Sequence, residues 1–185
     1  MKFSFPKLSP QLMATLAMLM ALTYVLDLFT ISVIPNQLQV GVTFIAKVLI
    51  GSIAGPWLSA LVAIIYDILA FFLNNTGYSF IWGFTLVEAL QGFLYGLFFF
   101  GKKLSFNNWK DWLYVVFATV ITMGIGTFIL TPILLNVYYQ TPFAVIYATR
   151  VYKVLEIPIR VLLIMLILPF LQRIPEFAKL NKIKK

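Results

Sequence analysis

The sequence predicts an all-α integral membrane protein, a bundle of six transmembrane helices with both termini in the cytoplasm. Three observations carry this: the composition, the placement of the apolar runs, and the placement of Lys and Arg between them. With 62% hydrophobic residues, 11% charged residues and a mean hydropathy of +0.96, the chain lies far outside the composition of a soluble domain. A spanning helix takes roughly 20 mostly apolar residues. Six spans with short connections therefore use nearly all of the 185 residues, as a single transmembrane domain over 1–185.

Apolar runs interrupted by Pro, Gly, Asn and charge place the spans at about 10–31, 40–52, 56–74, 80–100, 112–133 and 142–171. The first follows Lys2 and Lys7 and resembles a signal peptide, but no small-residue cleavage pattern comes after it, so it reads as a retained helix. Along it Ala14, Ala17 and Ala21 recur at spacings of three and four, a stripe of small side chains that another helix can approach closely. The second run is short and ends before Gly55-Pro56. Gly92 and Gly96 give the fourth span a close-packing pair of its own. In the sixth, with Thr141 as cap and Pro142 as first residue, Pro158 removes a backbone donor and predicts a kink. Short or broken helices in a bundle often border a cavity.

Orientation follows from charge. Lys2, Lys7, Lys102, Lys103, Lys110 and the cluster from Arg173 to Lys185 all fall on one side of a six-span chain, ten basic residues in total. The opposite loops, Ser32–Gln39, Asn74–Ser79 and Asn136–Thr141, contain neither Lys nor Arg. The positive-inside rule makes the basic side cytoplasmic. Asp111 and Glu176 share that side, which therefore holds the whole net charge of +8. Topology and anionic lipid headgroups account for the basic excess, with no need for nucleic acid.

The remaining eight charges, Lys47, Arg150, Lys153 and Arg160 with Asp27, Asp67, Glu88 and Glu156, cancel and all fall inside predicted spans. An ionisable group near the bilayer centre costs at least about 2.5 kcal/mol, so these line an interior or pair. At 100° per residue Arg150, Lys153, Glu156 and Arg160 share one face of the sixth span, with Glu156 and Arg160 spaced for an ion pair. Arg150 and Lys153 fall in its outer half, where an incoming anion is met. The competing reading has them neutralise Asp27, Asp67 or Glu88. Lys47, Asp67 and Glu88 sit near mid-depth, where mutual pairing competes with ligand contact. Aromatic residues crowd the outer end: Tyr78, Phe80, Trp82 and Phe84, then Tyr138, Tyr139, Phe143 and Tyr147. They fit either an interfacial belt or a surface on which a flat ring stacks.

No Gly-rich phosphate loop ending in Gly-Lys-Ser/Thr is present, so the chain does not hydrolyse ATP by that route. With no His, no Cys, no Gly-x-Ser-x-Gly elbow and no metal-spaced carboxylates, an enzyme or a metal or cofactor site is poorly supported. No internal repeat is evident, which weighs against a secondary transporter built from two halves. A small proton-coupled carrier using Asp67, Glu88 or Glu156 stays open as a rival.

Four features together resemble the S components of energy-coupling-factor (ECF) transporters: Ala17-x-x-x-Ala21; Gly55-Pro56 followed by Asp67; Trp82-Gly83-Phe84-Thr85-Leu86 leading to Leu94-Tyr95-Gly96; and Arg150-x-x-Lys153 followed by Pro158. The run from Thr131-Pro132 through Tyr147-Ala148-Thr149-Arg150 to Ile157-Pro158 looks most like the folate-specific members. Lys47, Val87 and Glu88 depart from their pattern. The resemblance implies a bacterial plasma-membrane protein that captures one vitamin from outside and works with a transmembrane scaffold and two ABC ATPases. Folate is the expected vitamin, with riboflavin, thiamine, pantothenate or biotin as alternatives. Arg150, Lys153, Trp82, Phe84, Tyr78, Tyr147, Glu88, Lys47 and Asp67 are then the candidate ligand residues. Ala14, Ala17 and Ala21 are the candidate scaffold contact, and the whole subunit is expected to topple in the membrane to release its ligand.

Overall fold

The computed structural model describes residues 8–34, 38–74 and 79–181. Helix α1 (Pro10–Asp27) starts at Ser9, whose hydroxyl accepts from the Leu12 N–H at 3.2 Å, with Pro10 where a missing N–H costs nothing. It ends four residues before the predicted boundary. The chain then forms a small antiparallel hairpin, β1 (Ile31–Ile34) and β2 (Leu38–Val40), in which Ile31 pairs with Val40 and Ser32 with Gln39. The bundle is all-helical as expected, and the hairpin lies in the predicted connection between the first two spans, Ser32–Gln39. The alternating Ile-Ser-Val-Ile, followed in sequence by Pro35-Asn36, satisfies its backbone in a ladder.

Helix α2 (Phe44–Asn74) is interrupted at Gly55, where φ is 75° and ψ 177°, a conformation closed to most side chains. The two halves, 44–54 and 56–74, run in opposite directions along α3 (Trp82–Phe99). In the first half Lys47 meets Glu88 and Gly51 lies against Tyr95, so residue numbers rise together. In the second, Gly55 and Pro56 lie against Gly96, Ser59 against Gly92, and Asp67 against Thr85, so they run opposed. Gly92 and Gly96 are thus contact points: a Cβ at Gly96 would come 2.5 Å from the Gly55 carbonyl carbon.

Helix α4 (Trp109–Met123), capped by Asn108, continues through a π-helical turn (Gly124–Leu130) into α5 (Thr131–Tyr139), well beyond the predicted end at 133. After Gln140, in a left-handed conformation at φ 54°, α6 (Phe143–Arg150) begins with Pro142 as its N-cap, so neither Thr141 nor Pro142 takes its expected place. A 3-10 turn (Val151–Leu155) joins α6 to α7 (Glu156–Leu171). The irregularity thus precedes Pro158, which sits in the first turn of α7 where no intrahelical donor is needed. A short α8 (Pro175–Leu180) follows.

The core joins the first half of α2 to α3, α4 and α7 through Tyr95, Phe99, Val115, Met165 and Leu168. A second cluster sets Leu12 and Leu16 of α1 against Ile53 and Ala54, closed beneath by Phe177 and Leu180 of α8. The start of α1 and α8 therefore share one end of the bundle. Leu12, Leu16 and Thr23 are the buried residues of α1; Ala14, Ala17 and Ala21 are exposed, so their stripe is not used for packing within the bundle. Among the described residues, four helical stretches are long and apolar enough to cross a membrane: Pro10–Asp27, Phe44–Asn74, Trp109–Tyr139 and Phe143–Leu171.

Candidate ligand-binding site

The end of the bundle away from α8 holds a cavity of about 380 Å³, within the range of roughly 300–1,000 Å³ usual for small-molecule sites. Each element contributes the residues nearest that end. The hairpin side supplies Asp27, Thr30 and Gly41; α2 supplies Thr43, Phe44, Lys47 and Asp67. On α3 the lining residues Phe84, Val87, Glu88 and Gln91 recur at three- and four-residue spacing, one face of a helix. The far wall is Thr127, Thr131, Leu135 and Tyr139 from the π turn and α5, with Arg150, Lys153 and Arg160 beyond.

Seven of the eight intramembrane charges thus line one space, and their pairing is uneven. Lys47 Nζ lies 2.5 Å from Glu88 Oε2. The eighth charge, Glu156, takes Lys153 on one oxygen at 3.1 Å and Arg160 on the other at 2.8 Å. Arg160 also lies over the Phe44 ring, 4.6 Å from its centroid. Asp67 accepts from the Thr85 hydroxyl at 2.6 Å and has no ion-pair partner among the described residues. Arg150 is the extreme case. It is only 3% exposed, its Nη1 donates to the Thr127 carbonyl at 2.8 Å, and its Nε is buried without an acceptor. Among the described residues no carboxylate pairs with it. A buried guanidinium without a counter-ion is costly, and an anion entering the cavity relieves that cost.

The structure brings together Lys47, Asp67, Phe84, Glu88, Arg150 and Lys153 of the residues singled out from sequence. Two others lie outside the cavity lining. Trp82 is 65% exposed and meets Phe80 edge-on at 5.0 Å, because it sits 200° around α3 from Phe84. Tyr147 is 45% exposed and donates its hydroxyl to the Phe128 carbonyl at 3.1 Å. Tyr78 lies outside the described residues. Among the described residues Arg150 forms no ion pair with Asp27, Asp67 or Glu88, whereas Lys153 pairs with Glu156 and Lys47 with Glu88. Sequence reasoning missed Gln91, Phe44, Thr127 and Thr131. Gln91 was legible as an amide three residues after Glu88 in an apolar helix; the others carry no such signal.

The amino-acid sequence matches the family model described as ECF-type riboflavin transporter, S component, over residues 7–173. The chain belongs to the ECF-type S component family. As an S component it is a subunit of a membrane transporter, not an enzyme, and its apolar helices fit a multi-pass bacterial membrane protein. Its similarity to the folate transporter FolT of Streptococcus mutans serotype c is 50% identity over 183 residues, 98% of each chain. Similarity to the folate transporter FolT of Leuconostoc mesenteroides is 34% identity over 137 residues, covering 74% of this S component and 70% of that protein. Among solved structures, that of FolT bound with folic acid superposes with a TM-score of 0.74 at 27% identity, covering 85% of this chain and 91% of the other. The family model is named for riboflavin, while both relatives and the structural neighbour are named for folate.

Proposed function

We propose that this S component captures folate from outside the cell and delivers it through an ECF coupling module made of a transmembrane scaffold and two ABC ATPases. The observation that carries the substrate reading is Arg150, a buried cation with an unsatisfied Nε and no carboxylate partner among the described residues, in a cavity of small-ligand size. Folate suits that cavity in two respects. Its glutamate tail brings two carboxylates, which Arg150 receives, with Lys153 close by on the same wall. Its planar pterin and aminobenzoate suit the Phe84, Tyr139 and Phe44 side of the lining. Half-identity over the whole length to a folate transporter supports the same assignment.

The site is built from a six-span bundle, counting the two opposed halves of α2 separately, with both termini cytoplasmic. The reversal at Gly55 and the absence of Lys and Arg from the cavity-end loops support this topology. The cavity then faces outside. The alanine face of α1, uncovered in the isolated subunit, is the docking surface for the scaffold. Proteoliposome uptake tests the assignment: accumulation of folate requires the coupling module and ATP. Accumulation by the S component alone, or uptake that follows a pH gradient after ATP depletion, would establish the proton-coupled rival.

A further inference from the structure

The π turn explains how Arg150 is held at the cavity wall. The N–H of Thr131 goes to the carbonyl of Gly126, five residues back, and its hydroxyl caps the same carbonyl at 2.7 Å. The next residue, Pro132, has no N–H to give. A backbone donor at position 132 would serve the carbonyl of Phe128 in α register and that of Thr127 in π register. Those two carbonyls are the ones occupied by side chains of α6. Arg150 Nη1 donates to Thr127 at 2.8 Å, and the Tyr147 hydroxyl donates to Phe128 at 3.1 Å.

We propose that Pro132 is a positioning residue for ligand capture: by withholding its N–H it reserves the Thr127 carbonyl for Arg150 and so fixes the guanidinium at the cavity wall. The inference rests on Arg150 being the anion-binding group. Pro132 is buried near the N-terminus of α5, where a missing N–H costs the helix little. Thr127 and Thr131 line the cavity, so the π turn itself forms part of the site. Tethering one nitrogen of a long, flexible side chain before the ligand arrives reduces the ordering that binding would otherwise require. Nε is left without an acceptor. Tyr147, outside the cavity lining, takes the second freed carbonyl and pins α6 to the same turn.

The test is a double-mutant cycle on the full-length protein in detergent, titrating folate by calorimetry beside a melting curve. Pro132→Ala and Pro132→Val both restore a donor at this position, and valine keeps much of the proline's bulk. Both are expected to weaken folate binding by roughly fivefold or more, since a charge-assisted contact loses its alignment. The melting temperature stays level or rises, because the helix gains a donor. In an Arg150→Ala background the same substitutions cause no further loss. Unchanged affinity in both variants, equal losses in both backgrounds, or a loss confined to Pro132→Ala, which would report ring packing, each overturns the proposal. Arg150→Ala that binds folate as tightly as wild type would defeat the site assignment itself.

Discussion

Truncating Arg150 to alanine separates a ligand-binding cation from a structural one. The wild-type residue is nearly fully buried, gives one hydrogen bond to the Thr127 carbonyl and leaves Nε unpaired. Removing it deletes one charge-assisted contact to a carbonyl, worth about 1.5–3 kcal/mol, and also a buried charge without a counter-ion, whose desolvation opposes folding. The two largely offset each other, so the melting temperature of the empty protein should change little. Affinity responds differently. A carboxylate received by a guanidinium gains charge-assisted bonds of about 1.5–3 kcal/mol each, so Arg150→Ala should weaken folate binding by roughly tenfold to a hundredfold or more. Arg150→Lys should recover only part of this, because an ammonium lacks the planar fork. The loss should also exceed that from Lys153→Ala, since Lys153 already shares Glu156 with Arg160. Isothermal calorimetry with a parallel melting curve reads both quantities. Unchanged affinity, or an affinity lost only with the fold, would refute the reasoning.

Three further outcomes are expected. Glu88→Gln leaves Lys47 largely buried without its ion-pair partner and should lower stability by roughly 2–4 kcal/mol, whereas the double variant Lys47→Met/Glu88→Met should recover most of it; thermal melting in detergent checks both. Gly96→Ala places a Cβ 2.5 Å from the Gly55 carbonyl carbon and 2.6 Å from the Pro56 Cα, forcing α2 from α3 at a cost of about 1–3 kcal/mol, again read by melting. Ala17→Trp should abolish co-purification with the scaffold while folate affinity stays within about twofold, because the exposed alanine face lies outside the cavity lining.

Much of the helical layout was legible because lipid allows few alternatives: apolar runs of spanning length must satisfy their backbone internally. The reversal at Gly55 announced itself through Gly-Pro, although the structure was needed to show the two halves running opposed along α3. The hairpin was missed because Ser32–Gln39 reads as a loop between two spans; the alternation of Ile31–Ile34 and the following Pro-Asn were the signal for it. The π turn had no signal in the apolar pattern, since a one-residue change of register leaves hydropathy untouched.

Ionisable residues were the most informative part of the site. Lys47, Asp67, Glu88, Arg150 and Lys153 are too costly to face lipid, and all reach the cavity lining. Their pairing was less predictable. Glu156 takes the two cations at three- and four-residue spacing from it, Lys153 and Arg160, and Arg150, six residues away, has no carboxylate among the described residues. Aromatic residues misled where belt and cavity chemistry look alike. Trp82 and Phe84 are two positions apart, yet helical geometry turns them to opposite sides.

Side-by-side equilibrium titration of the purified protein with folate and riboflavin tests the central assignment most directly, because the family model is named for riboflavin and the FolT relatives for folate. A ligand that binds only the folded state at 100 times its dissociation constant stabilises it by about 2.7 kcal/mol, so calorimetry and a thermal shift should agree. Saturable binding and stabilisation by folate, weakened by Arg150→Ala and absent with riboflavin, is the predicted result. Tight binding of riboflavin with no response to folate would contradict it.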